Sequence, residues 1–165
     1  MSIVESLATA VQPWADFYAH HKSVSNAITW LHLAALTIGG GAAVTSDRMM
    51  LRLRGADTDE RRRRLVDFSK THRVVIAALT VLALTGVSMV LSDVKTFLVS
   101  PVYWTKMGLV LVLLANGYGL VRTERDLTVD PAAGNRVWAR FAFGARASIT
   151  LWLGIVLAGV LLVNA

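Results

Sequence analysis

The sequence predicts an all-α integral membrane protein: a bundle of four transmembrane helices, preceded by an N-terminal amphipathic interfacial helix, with both termini outside. Three observations predict it. Of the 165 residues 55% are hydrophobic, and the mean hydropathy of +0.53 leaves too little polar surface for a water-soluble domain of this size. The apolar residues fall into four blocks free of charge, at 27–44, 74–91, 107–121 and 147–163. The basic residues sit in alternate connections between those blocks.

A bilayer needs roughly 20 apolar residues per helix. Residues 101–106 extend the third block and 141–146 the fourth, so the spans are expected at about 26–46, 74–92, 101–121 and 141–163 of a single domain. Nine of the 17 Lys and Arg lie between 47 and 73, and five more between 122 and 146. Cytoplasmic loops collect positive charge, so these two loops should face the cytoplasm of a bacterium. The expected location is the inner (cytoplasmic) membrane. The same clustering argues against a nucleic-acid partner, despite the net charge of +6.

In chain order, "MSIVESLATA" has no basic n-region and is not expected to be a cleaved signal peptide. Ile3, Leu7, Val11, Trp14 and Tyr18 recur at helical spacing, and Pro13 should bend or restart that helix. This segment either lies in the interface or packs over the mouth of the bundle. After span 1, Gly55 can end a helix, and Asp57 with Glu60 forms a start signal for the next, near Thr58. The Arg61 to Arg64 run is either a topology determinant on a solvated helix or a contact for anionic headgroups.

Asp93 and Lys95 should mark the outer end of span 2, and "SPVYW" restarts the chain with Tyr103 and Trp104 at interfacial depth. Asp130 with Pro131 reads as a further helix start. Trp138, Phe141 and Phe143 fall where an inner aromatic belt is expected.

Helices in lipid gain little hydrophobic energy by associating, so close packing calls for small residues. Ala35, Gly39 and Ala43 supply them on span 1, Ala115 and Gly119 on span 3, Gly154 and Ala158 on span 4. His32 shares the face of the first ladder and should point into the bundle. An ionisable residue inside a membrane is a functional candidate by default; the competing reading is a neutral imidazole bonded to a neighbouring helix. Thr85 and Asn116 read as interhelical hydrogen-bonding residues.

Depth selects the possible partners of His32. It lies about 9 Å inside the outer boundary, Met107 about 9 Å in from Pro101, and Met89 about 3 Å in from Leu91, at a rise of 1.5 Å per residue. Histidine with methionine suits haem iron, and thioethers favour Cu(I). The candidate cofactor site is therefore His32, Met107, Met89 and Lys106, the lysine pairing with a haem propionate or snorkelling outward. His20 and His21 are added as candidate metal ligands beside His32. His72, at the cytoplasmic edge, is too far from His32 to share one haem.

Other chemistries are poorly served. The chain has no cysteine, so thiolate sites and disulfides are excluded. The four blocks hold no Asp or Glu, which disfavours a buried carboxylate relay. No Ser-His-Asp set, HExxH or phosphate loop is present.

"LHLAALTIGGGAAVTSDRMMLR" resembles the first span of an uncharacterised bacterial family of small four-span membrane proteins. "LALTGVSMVLSDVKTFLVSPVYWTKMGLVLVLLANGYGL" is similar to that family's second and third spans, through Thr85–Gly86, Pro101 and Lys106, and "LWLGIVLAG" to its last. More distantly, the layout resembles the membrane domain of copper-resistance D proteins. The resemblance implies the four-span fold and singles out His32. The expectation is a membrane protein binding haem b or copper around His32, for electron transfer or metal handling. The alternatives are an accessory subunit of a larger membrane complex, with lipid and other subunits as its partners, and an interfacial enzyme acting on quinone or lipid.

Overall fold

The computed structural model describes residues 3–53, 58–129 and 135–164. Among the described residues seven helices follow in order: α1 Ile3–Ala10, α2 Gln12–His20, α3 Lys22–Leu53, α4 Thr58–Ser92, α5 Val94–Val99, α6 Pro101–Val129 and α7 Asn135–Val163. Four of them, α3, α4, α6 and α7, are long and apolar enough to cross a membrane. Their outward faces carry Trp30, Leu84, Leu111 and Leu153, each about two-thirds exposed. In water such surface would be intolerable; against lipid it costs nothing. The chain is a multi-pass membrane protein.

The long helices outrun the apolar blocks. α3 is 32 residues long and α4 35, so both continue past the uncharged stretch toward the arginine-rich end of the bundle. The signals expected at Gly55, Asp57, Asp130 and Pro131, and the Arg61 to Arg64 side chains, lie outside the described residues.

α3 is the central helix, running against α4 on one side and α7 on the other, while α6 packs along α7. Among the four long helices, α4 and α6 are adjacent but touch far less than α3 with α4, α6 with α7 or α3 with α7. The α3–α4 contact depends on Gly39, where a methyl group would stand 2.6 Å from the Ala78 Cβ. Gly40 likewise admits the Trp152 ring, and Gly144 the side chain of Leu120. Ala35, Ala43 and Ala158 are buried as their ladders require.

The α6 ladder is different. Ala115 and Gly119 are exposed, and a methyl group at Gly119 would meet nothing within 4 Å. Its small residues line an open groove beside Gly144 and do not form a tight helix contact.

The aromatic belt expected near 138–143 is also corrected. Trp138 and Phe141 are buried and pack with Met50, Leu127 and Ala145, leaving only Phe143 exposed. The α7 face that carries them turns inward, because Ala142 and Ala145 between them let α7 approach. A second core cluster, Ala43, Leu113, Trp152 and Ile155, fills the middle.

The N-terminal helices pack over the mouth of the bundle. α1 lies against α5, and α2 against α3 and α4. Pro13 occupies the first turn of α2, restarting the chain after Val11. The Trp14 indole donates to the Ser88 carbonyl at 2.9 Å, tying α2 to α4. Asp93 caps α5 by accepting from the Thr96 backbone at 3.2 Å, and Pro101 opens α6 directly after Ser100. The bundle thus has a capped end, under α1, α2 and α5, and a basic end opposite.

Candidate functional site

Two polar clusters interrupt the apolar interior, one toward each end. The first is built on His32 of α3. Its Nδ1 is 2.8 Å from the Thr85 hydroxyl of α4. Thr85 spends its own proton on the Val81 carbonyl, at 2.6 Å, within its own helix. The hydroxyl can then only accept from the ring, so Nδ1 carries the proton and Nε2 keeps its lone pair. Gly86 leaves room beside the ring, with the imidazole edge 3.5 Å from where a methyl group would be. Among the described residues, Nε2 has no hydrogen-bond partner.

Lys106 of α6 is within electrostatic reach of this imidazole. Its ammonium sits beside Gly159 of α7, 3.5 Å from where a methyl group would be. Among the described residues no carboxylate pairs with it. Met89 on α4 and Met107 on α6 are half-buried. His20 and His21 are exposed, and their Nδ1 atoms donate locally to the Asp16 and Phe17 carbonyls, at 2.7 and 2.9 Å. The His21 ring stacks on Phe17 at 4.1 Å. No three His, Cys, Asp or Glu side chains gather as metal ligands among the described residues, so His20 and His21 do not complete a set with His32.

The second cluster, toward the basic end, was not anticipated. Ser46 and Asp47 of α3, Glu124 of α6 and Ser148 of α7 are all buried. His72 of α4 faces Glu124, with Nδ1 to Oε2 at 3.3 Å. The Ser148 hydroxyl donates to the Asp47 carboxylate, and His72 is within electrostatic reach. Asp47 Oδ2, fully buried, has no partner among the described residues. These groups line one end of a 360 Å³ cleft between α4 and α6.

The chain matches no family model, no curated protein and no solved structure.

Sequence patterning located the first and overlooked the second. Asp47 lies three residues past the end of the first charge-free block, and Glu124 three past the third. Counting charges inside the blocks passes over both. The usable signal was that residues 46–47 and 124 continue the helical faces of Ala43 and Leu120, which point inward.

Proposed function

We propose that this chain is a protein of the bacterial inner membrane, with both termini outside, that holds a haem b or copper cofactor through His32 in the outer half of the bilayer. Its role there is electron transfer or metal handling. The orientation rests on the basic residues gathered at one end. The cofactor reading is carried by one observation: Thr85 holds the His32 ring through Nδ1, and Nε2 has no hydrogen-bond partner among the described residues. Metal-ligating histidines commonly have their other ring nitrogen held by a hydrogen bond, and Thr85 provides that hold.

Lys106 discriminates between the two cofactors. An ammonium within electrostatic reach of the imidazole, and without a carboxylate partner among the described residues, repels a bare copper ion and attracts a group that brings its own negative charge. Haem propionates supply such charge, so haem b fits these residues better. Bound haem would contribute a one-electron redox centre. The chain's part is to present the His32 nitrogen and to neutralise a propionate with Lys106. Met89 and Met107, from two further helices, are the proposed second ligands, thioether sulfur being suited to haem iron.

A reduced-minus-oxidised optical spectrum of gently solubilised protein tests this. Sharp α and β bands that disappear in folded His32→Ala establish haem. A featureless spectrum, with no copper by elemental analysis, overturns the reading.

A second reading, an accessory subunit of a larger membrane complex, draws on the α6 ladder. Exposed small residues at four-residue spacing let another helix approach closely. Recovery at fixed stoichiometry with partner subunits supports it, and a lone monomer under mild extraction counts against it.

A further inference from the structure

We infer that the cleft between α4 and α6 is a binding site for a cationic amphiphile, a primary or quaternary ammonium with an apolar tail, that enters sideways from the bilayer. The inference is independent of the His32 cofactor reading.

The charge balance comes first. Burying a carboxylate is costly unless it is paired. Of the two acids in the cleft, Glu124 has the His72 imidazole at 3.3 Å. Asp47 is 6% exposed, and its Oδ2 has no partner among the described residues. Asp47 Oδ2 is therefore the buried carboxylate oxygen in this cleft that a ligand's positive group would satisfy.

Shape comes second. The volume of 360 Å³ is far more than a single ion needs and falls in the range of small-molecule sites. No group of three or more His, Asp or Glu among the described residues is arranged to hold a metal. Along α6 the lining runs from Glu124 to Leu113, roughly 16 Å at the helical rise. The acids lie at the basic end, and Leu79, Leu113 and Trp152 line the other, toward the middle of the bundle. A headgroup at Asp47 therefore places its tail among apolar side chains.

Access comes third. α4 and α6 form the two long walls and pack far less closely than α3 with α4, α6 with α7 or α3 with α7. Ile76 and Tyr118, on those walls, are exposed. A ligand already dissolved in the membrane reaches the acids through this seam without crossing an aqueous mouth.

The full chain in phosphatidylcholine nanodiscs, dialysed against radiolabelled octylammonium, tests the inference, with protein-free nanodiscs as the blank. The expected result is saturable binding of one octylammonium per chain, with octanol, its uncharged counterpart, at least about tenfold weaker. Asp47→Asn keeps the side chain's shape and removes its charge; it should weaken binding at least about tenfold, a loss of the size expected for one charge-assisted hydrogen bond. Gly117→Leu tests the same cleft without touching an acid. A methyl group there meets nothing within 4 Å, so the leucine should fold normally and plug the cavity. Lack of saturable binding to the wild type overturns the inference. So does octanol binding as tightly as octylammonium, or undiminished binding to folded Asp47→Asn or Gly117→Leu.

Discussion

The seam between α3 and α4 is closed, whereas that between α4 and α6 is open, although glycines occur on both. At the first, Gly39 faces Ala78 so closely that a single methyl group would collide. At the second, α6 carries Gly117 in the cleft wall, and a methyl group there would meet nothing within 4 Å. Glycine permits close approach but does not cause it. A small residue must face the glycine across the seam, as Ala78 does; α6 instead has polar side chains and a cleft between it and α4. In lipid, where there is no water to expel, that local fit decides which helices press together.

This contrast can be broken at its closed side. Gly39→Leu should force α3 and α4 apart and destabilise the bundle by about 3 kcal/mol, the upper part of the range for overpacking, read from reversible unfolding in mixed micelles. Thr85→Val keeps the shape at the same seam and deletes the acceptor for His32. The expected loss is about 1 kcal/mol, as for hydrogen bonds between membrane helices, with ring orientation lost in the imidazole NMR signals. Asn116→Leu removes the bond from the Asn116 amide to the Gly144 carbonyl, 2.9 Å long. It should cost about 0.6 kcal/mol and loosen α6 on α7 in hydrogen exchange. Gly117→Ala is the sharpening control on the open side, with a change within about 0.5 kcal/mol. If it destabilises as much as Gly39→Leu, α6 has a close neighbour on that face and the contrast fails.

The four spans were legible because hydropathy and length act over whole segments and tolerate local error. Thr85 and Asn116 were legible as well, since a lone polar side chain in lipid has few choices other than a neighbouring helix. The N-terminal segment was legible only as two alternatives, because the same amphipathic face suits lipid or protein; the Trp14 bond to α4 decides for protein. The α6 ladder was misread because spacing records which residues are small, not what stands opposite. Trp138 and Phe141 were misplaced because interfacial depth and burial are independent coordinates. The Asp47 and Glu124 cluster was missed because it is assembled from four helices at positions beyond the apolar blocks, and proximity of that kind leaves no mark in a linear pattern.

The Trp14 hydrogen bond also sets an order of events during biosynthesis. Its acceptor, Ser88, lies 74 residues further along the chain. α2 can lie against α3 as soon as that helix exists, but its tether to α4 forms only after α4 has been made and threaded back through the membrane. Completion of the α3–α4 hairpin is thus recorded in how firmly α2 is seated.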